Sequence, residues 1–187
     1  MAEEARQLAV LGVGNRLRGD DAVGCLICDE LCPNLEEHSP PRHRDTEYSS
    51  EPDTQLGDFG GCSPADRVCV VDCGSAPENY IQPVADRNPT RILVVDCCNC
   101  GAQPGEFRLF SREEVERLSY GLLSTHTLPL TLTIEMLALE TDATIELLGI
   151  QPGRIEFGED LSEPVRRALP AVVEFVRDWT RQSRPGS

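Results

Sequence analysis

Short apolar segments alternate with helical patterns along this chain, and that alternation limits its possible folds more than any other feature. Each segment has the length and composition of a buried strand and is followed by turn residues. Strands that alternate with helices are typical of proteins with a mostly parallel sheet. We therefore predict an α/β three-layer sandwich, a mostly parallel twisted sheet with helices on both faces. The predicted strands lie at 8–14, 67–72, 91–96 and 144–150.

Capping residues and apolar spacing place the helices between these strands. Asp20 or Asp21 is predicted to cap a first helix that runs to about Cys32. Ser111 and Glu114 form a capping box that starts another helix. A short helix is predicted at 78–86 and an exposed edge strand at 106–110. A further helix opens near Thr127, with apolar positions at Leu132, Met136 and Leu139. The last helix starts at about Ser162 and has a core-facing stripe at Val165, Leu169, Val172, Val176 and Trp179.

Residues 33–66 differ in composition from the rest of the chain. They are rich in Pro, Ser, Asp, Glu and Gly and contain few large apolar residues, so they cannot bury much surface. We predict that this segment is a flexible insertion in a single domain spanning residues 1–187.

The chain is strongly acidic, with a formal net charge of -15. Nucleic acid and anionic membrane surfaces are disfavoured as partners because they require clustered cations on the protein, whereas a basic peptide or a metal cation would be attracted. No apolar stretch approaches the roughly 20 residues of a membrane span. The acidic N-terminus lacks the apolar region of a secretory signal. We expect a cytoplasmic protein that acts as a monomer.

The chain has nine cysteines, and two groups of them are close in sequence. Cys25, Cys28 and Cys32 fall on one face of the first predicted helix, and a second group lies at 97–100. Neither group has the paired spacing that indicates a zinc site, although a zinc or iron–sulfur site stays open. Core packing is the favoured interpretation because cysteine behaves as a small buried hydrophobe.

Carboxylates follow three consecutive predicted strands. Asp20 and Asp21 come after the first strand, Asp72 ends the second and Asp96 ends the third. The carboxyl ends of parallel strands meet at one edge of the sheet, where α/β proteins form their sites. Clustered carboxylates raise one another's pKa, and a bound cation relieves their repulsion. The alternative is that these residues only cap a helix and accept hydrogen bonds from turn amides.

Of the three histidines, His126 is the candidate ligand. His38 and His43 lie in the polar 33–66 segment, where solvated side chains are expected. His126 stands at the start of a predicted helix, whose positive end disfavours the imidazolium and leaves a neutral ring able to bind a metal. Asp and His ligands together suit a divalent ion such as nickel or zinc. A capping or turn role for His126 is the alternative.

Other enzyme classes lack their sequence motifs here. Gly12-x-Gly14 begins like a dinucleotide-binding fingerprint, but Leu17 occupies the position of the third glycine. The chain contains no phosphate-binding loop, no zincin motif and no serine nucleophile elbow. A nucleotide-binding α/β module is therefore kept only as a rival interpretation. Cys–His nucleophilic chemistry has no local signature to support it.

Six short segments, in order along nearly the whole chain, together form a recognisable pattern. They are 12–24 (Gly-Val-Gly-Asn-Arg-Leu-Arg-Gly-Asp-Asp-Ala-Val-Gly), 72–79, 89–96, 104–106, 125–130 and 148–152. These segments resemble the hydrogenase maturation endopeptidases and are especially similar to the hydrogenase 3 maturation protease branch of that family. Outside this resemblance lie the chain ends and residues 33–66.

The resemblance implies a twisted sheet between helices and a specific proteolytic activity. Members of the family remove a C-terminal peptide from the large subunit of a NiFe hydrogenase after nickel insertion. The family's metal-site positions correspond to Asp21, Asp96 and His126, and Asp72 matches a further acidic position near the site. These four residues are the predicted catalytic residues, and nickel is expected to arrive with the precursor. A nickel-binding checkpoint protein that does not cleave its partner is the alternative.

Overall fold

A five-stranded sheet forms the centre of the structure, a computed structural model that describes residues 7–32, 67–118, 130–158 and 160–182. Within these residues the strand order is β2-β1-β3-β5-β4. Neighbours pair in parallel except β4, which runs antiparallel to β5 at the edge. The strands are β1 (Leu8–Val13), β2 (Val68–Gly74), β3 (Arg91–Cys97), β4 (Phe107–Ser111) and β5 (Thr144–Ile150).

Helices cover both faces of this sheet, so the predicted α/β class and three-layer sandwich are confirmed. Helix α1 packs against α5, and helix α2 packs against α4. Among the described residues, no helix combines the length and apolarity needed to cross a bilayer. The helices are α1 (Val23–Leu31), α2 (Ile81–Ala85), α3 (Arg112–Leu118), α4 (Leu130–Glu140) and α5 (Glu163–Gln182), with 3-10 turns at Gly19–Ala22 and Pro77–Tyr80.

Three sequence predictions fall on residues that the structure does not describe. These are the flexible insertion at 33–66, the side chain of His126 and the start of the helix near Thr127. The described part of that helix, α4, begins at Leu130.

The central strands are buried on both faces. Every residue of β1 and all of β3 except Arg91 are buried, which explains why these segments read as continuous apolar runs. On β4 the side chain of Phe110 is buried while Arg108 is exposed, as expected for the predicted edge strand. The strands β1 and β3 are therefore deeply buried, and their carboxyl ends support the candidate site.

The last helix covers the sheet with the predicted stripe. Val165, Val172, Val176 and Trp179 are buried, and Leu169 is partly buried against the same core. At the far end of the helix the Trp179 indole N–H donates to Glu146 Oε2 at 2.9 Å. This contact and the apolar stripe together fix α5 against the central strands.

The two predicted helix starts have different outcomes. The capping box is confirmed: the Ser111 amide donates to Glu114 Oε2 at 2.9 Å and the Glu114 amide donates to Ser111 Oγ at 3.3 Å. The predicted cap on the first helix is wrong. Asp20 and Asp21 lie inside the 3-10 turn, and Ala22 precedes α1 without a side-chain hydrogen bond to its amides.

The buried face of α4 differs from the apolar positions named from the sequence. Leu130, Ile134 and Leu137 are buried, whereas Leu132 is 37% exposed and Leu139 is 84% exposed. The helix sequence, Leu-Thr-Leu-Thr-Ile-Glu-Met-Leu-Ala-Leu-Glu, carries apolar residues on several sides. Periodicity alone therefore does not identify the face that packs on the protein.

Two leucines on α4 test this assignment with the same substitution. Leu137→Ala should lower the free energy of unfolding by about 2 to 5 kcal/mol, because it leaves a cavity in the core. Leu139→Ala should change it by less than about 0.5 kcal/mol, because that side chain is exposed. Urea unfolding of both variants measures the difference, and equal effects would show that the buried face is wrongly assigned.

Candidate active site

Asp21 reaches the end of β1 because the chain turns back on itself after that strand. The Asn15 amide donates to the Asp21 carbonyl at 3.0 Å. A Cβ atom at Gly14 would lie 1.9 Å from the same carbonyl oxygen, so the turn requires glycine there. The turn places Asp21, which is fully buried, beside the carboxyl end of β1.

Asp96 lies at the end of β3, next to β1. Its side chain is fully buried, and its Oδ1 accepts a hydrogen bond from the Cys97 amide at 2.8 Å. Burial, followed by the charges of Asp96, Asp21 and Asp20, raises the pKa of the Cys97 thiol well above its ordinary value. The Cys97 thiol therefore interacts electrostatically with all three carboxylates, which the structure brings to the same edge of the sheet.

The chemistry of this pair fits a divalent ion. Carboxylate oxygens bind divalent cations, and a cation offsets the unfavourable burial of two negative charges. Among the described residues no group of three or more His, Cys, Asp or Glu side chains is arranged to hold a metal ion. Asp21 and Asp96 are two of the three predicted ligands; the third, His126, lies outside the described residues.

Asp72 occupies a different environment from the other strand-end carboxylates. Its Oδ2 accepts a hydrogen bond from Arg16 Nη2 at 2.7 Å, and its Oδ1 accepts one from the Gly74 amide at 3.0 Å. Burial alone would raise the pKa of Asp72, but Arg16, the Cys25 thiol and the Gly74 amide outweigh it and lower that pKa. The expectation that clustered anions raise one another's pKa is therefore wrong for Asp72, because an arginine neutralises it.

Arg16 is a residue that the sequence did not single out. Its guanidinium contacts both oxygens of Asp29 at 2.7 and 2.8 Å while it also binds Asp72. A third contact joins Nη2 to the Cys25 carbonyl at 3.3 Å. Because Arg16 links the turn after β1 to α1 and β2, only the folded chain reveals its partners.

Asp20 holds two distant parts of the chain together. Its Oδ2 accepts hydrogen bonds from the Gly153 amide at 2.7 Å, the Arg154 amide at 2.9 Å and the Ser162 hydroxyl at 2.7 Å. Its Oδ1 accepts one from the Ser162 amide at 2.6 Å. The carboxylate is fully buried. Asp20 therefore ties the segment between β5 and α5 to the turn after β1.

Two exposed apolar side chains lie on the segments that Asp20 joins. Leu17 is 66% exposed and Phe157 is 70% exposed. The Gly158 amide donates to the Leu17 carbonyl at 2.9 Å, and the Arg18 guanidinium lies 5.4 Å from the centre of the Phe157 ring. Leu17 and Phe157 thus form an apolar pair of exposed side chains on two segments that lie side by side.

The described cysteines are all reduced thiols, and most are in the interior. Cys25 and Cys28 are fully buried on α1, as core packing requires, and Cys32 follows the end of that helix. In the second group Cys97 and Cys98 are buried while Cys100 is partly exposed. The Sγ atoms of Cys98 and Cys100 lie 3.4 Å apart.

Comparison with known proteins finds similarity to hydrogenase maturation proteases. A family model described as hydrogenase maturation protease matches residues 61–179. The hydrogenase 3 maturation protease of Escherichia coli K12 is 28% identical over 170 residues, which are 91% of this chain and 88% of that protein.

Solved structures agree in fold and sequence. A crystal structure of a hydrogenase 3 maturation protease superposes with a TM-score of 0.66 at 28% identity, covering 95% of this chain and 93% of that one. The NiFe hydrogenase maturation protease HycI of Thermococcus kodakarensis gives a TM-score of 0.67 at 25% identity, covering 96% and 95% of the two chains.

The fold and these similarities define a protease, a class of hydrolase. The chain belongs to the hydrogenase maturation protease family, as its motifs predicted.

The Arg16–Asp72 pair predicts a pH dependence of stability. Because the folded pKa of Asp72 lies below its ordinary value of 3.8, the pair stabilises the fold above that pH, and this stabilisation is lost as the pH falls through the folded pKa. Arg16→Gln should lower the free energy of unfolding by about 0.5 to 1 kcal/mol at pH 7, since solvent screens this partly exposed pair.

Urea unfolding from pH 7 downwards measures this effect. The difference between wild type and Arg16→Gln should shrink below pH 3.8. In an Asp72→Asn background the same substitution should show a smaller pH dependence, because only the Arg16–Asp29 pair is then left to contribute; this provides the control. A difference that persists unchanged at the lowest pH where both proteins fold would contradict the assignment.

The hydrogen bonds of Asp20 predict a structural effect of a near-isosteric change. Asp20→Asn should lower the free energy of unfolding by about 1 to 3 kcal/mol, because the amide group cannot accept from every donor that now faces the carboxylate. Asp160→Asn, an exposed position in the same segment, should change it by less than about 0.5 kcal/mol. Equal stabilities of the two variants in urea would contradict the proposed role of Asp20.

Proposed function

We propose that this protease is a nickel-dependent endopeptidase that removes the C-terminal extension of a NiFe-hydrogenase large-subunit precursor after nickel insertion. It would act in the cytoplasm as a monomer. The observation that carries the proposal is the pair of fully buried carboxylates, Asp21 and Asp96, at one sheet edge of a chain in this family. The solved relative from Thermococcus kodakarensis is itself called a NiFe hydrogenase maturation protease.

In this proposal the precursor brings its nickel to the carboxylate edge. Asp21, Asp96 and His126 bind the ion, which is part of the substrate and is not a resident cofactor. Two carboxylate ligands and an imidazole suit a borderline divalent ion such as nickel. Their backbone supports favour this role, because Asp21 is held by the turn at Gly14 and Asp96 lies in the buried central strand β3, one residue before its end.

The docked ion positions one peptide bond next to the site. Nickel supplies Lewis-acid chemistry, either polarising the peptide carbonyl or lowering the pKa of a water that attacks it. Of the two roles open to Asp72, orienting these groups or acting as general base, its ion pair with Arg16 and its lowered pKa favour the first. Asp20 is a poor candidate for the base, because Gly153, Arg154 and Ser162 already donate to both of its oxygens.

The apolar pair formed by Leu17 and Phe157 supports a peptide substrate. Both side chains are largely exposed, and both lie on segments that Asp20 joins beside the site. Apolar contacts of this kind would hold an extended peptide without a requirement for basic residues on the protease. The acidic surface would at the same time favour a precursor whose C-terminal region is basic.

Mass spectrometry of a precursor incubated with the protease tests this function. The wild-type protein should release a C-terminal fragment from a nickel-loaded precursor and leave the nickel-free precursor intact. Asp21→Asn, Asp96→Asn and His126→Ala should each leave the nickel-loaded precursor uncut, because each removes a predicted ligand. Asp86→Asn changes an exposed carboxylate between α2 and the start of β3, away from the carboxyl ends of the strands. This variant should cut the nickel-loaded precursor normally.

The other outcomes identify which part of the proposal is wrong. Cleavage at normal rates by all three ligand variants would remove the site assignment. Cleavage of the nickel-free precursor would remove the nickel requirement and leave the protease intact. Binding of the nickel-loaded precursor without any loss of mass would identify a checkpoint protein.

A further inference from the structure

The segment that follows Asp96 holds two sulfur atoms against each other. Cys98 Sγ and Cys100 Sγ are 3.4 Å apart, and Cys100 Sγ also lies 3.4 Å from the Cys98 carbonyl oxygen. The S–S bond of a disulfide is about 2 Å long, so a small movement of the two side chains would join them. No step of the proposed peptide cleavage uses either thiol.

Hydrogen bonds to the end of β5 hold both residues in this arrangement. The Cys98 amide donates to the Ile150 carbonyl at 3.0 Å, and the Cys100 amide donates to Gln151 Oε1 at 2.8 Å. The same Gln151 oxygen accepts from the Ala102 amide at 3.3 Å. The backbone on either side of the two sulfurs is therefore tied to one strand end, so the sulfurs meet in a defined geometry.

Gly149 provides the space in which the two sulfurs meet. A Cβ atom built at this position would lie 2.5 Å from Cys98 Sγ and 2.8 Å from Cys100 Sγ. Both distances are too short for a real contact, so any larger residue would displace the sulfurs. The absence of a side chain at 149 is thus a second, independent feature of the structure that permits the sulfur pair.

The two thiols differ in access to solvent. Cys98 is 2% exposed, whereas Cys100 is partly exposed. The hydrogen bond with Cys98 lowers the pKa of the Cys100 thiol, and the charge of Arg108 acts in the same direction against burial. Cys28 and Cys73, whose sulfurs both contact the Val71 carbonyl oxygen, are 0% and 3% exposed, so an oxidant cannot reach them.

We propose that Cys98 and Cys100 are a site of reversible oxidation, at which a small-molecule disulfide such as oxidised glutathione converts the two thiols into an intramolecular disulfide. The Cys100 thiolate attacks one sulfur of the oxidant and expels the other as a thiolate. The Cys98 sulfur then attacks Cys100 Sγ and expels the second thiolate. The two protons lost by the cysteines end on the two released thiols, so the protein is oxidised by two electrons and the oxidant is reduced by two.

Tryptic mapping of the intact protein tests this proposal without relying on protease activity. The peptide 92–108 contains Cys97, Cys98 and Cys100. The reduced protein is incubated with oxidised glutathione, quenched with acid, alkylated and digested. In the wild type and in Cys97→Ser this peptide should carry a disulfide between Cys98 and Cys100, two hydrogen atoms lighter than the two free thiols and closed to alkylation. Dithiothreitol should restore both thiols. Persistent reduction of the wild-type peptide would overturn the proposal.

Two single substitutions separate the roles of the thiols. Cys98→Ser should stop at a stable glutathione adduct on Cys100, because the resolving thiol is missing. Cys100→Ser should give neither adduct nor disulfide, because Cys98 is enclosed. Oxidation of Cys100→Ser at the wild-type rate, a stable adduct in the wild type, or loss of the disulfide in Cys97→Ser would each overturn the assignment.

Gly149→Ala provides a further measurement that leaves every thiol in place. The added methyl group would meet both sulfur atoms, so the yield of disulfide should fall while the partly exposed Cys100 still forms an adduct. Circular dichroism establishes that the variant folds before it is assayed. An undiminished yield in a folded variant would contradict the packing on which the proposal depends.

Discussion

The arrangement of the candidate site depends on the hydrogen bonds that the buried carboxylate of Asp20 accepts. The turn after β1 and the segment between β5 and α5 are far apart in sequence, and both are irregular backbone. Four hydrogen bonds to one side chain join them, and the Asp20 amide adds a fifth by donating to the Arg154 carbonyl at 3.0 Å. Because Asp21 is the next residue, the contact that orders the loops also fixes the position of a predicted ligand.

Local patterns predicted the secondary structure because the physical causes are local. The apolar runs of β1 and β3 are continuous since both strands are buried on both faces. The capping box at Ser111 joins residues only three apart, and the α5 stripe repeats at the spacing of a helix. On α4 the pattern was ambiguous, and only packing shows that Leu137 is buried while Leu139 is exposed.

Long-range contacts explain what the sequence could not give at the site. Asp20 has the composition and position of a helix cap, but its hydrogen-bond partners lie 133 to 142 residues further along the chain. Arg16 is likewise unremarkable in sequence, and its role depends on Asp72, 56 residues away. The predicted parallel sheet did place the ends of the strands that precede Asp21 and contain Asp96 on the same side, and β1 and β3 are indeed parallel neighbours.

The strand-end carboxylates do not act as one uniform acidic cluster. Four donors from the protein stabilise Asp20, and the guanidinium of Arg16 neutralises Asp72. Asp20 and Asp72 are thereby engaged by donors of the protein itself, and in the proposed function Asp21 and Asp96 are the two carboxylates assigned to the ion. Fewer anions hold a cation less tightly, which suits an ion that must arrive and leave with a substrate. In the proposed function, the protein's own cationic and amide contacts thus set how strongly the protease holds nickel.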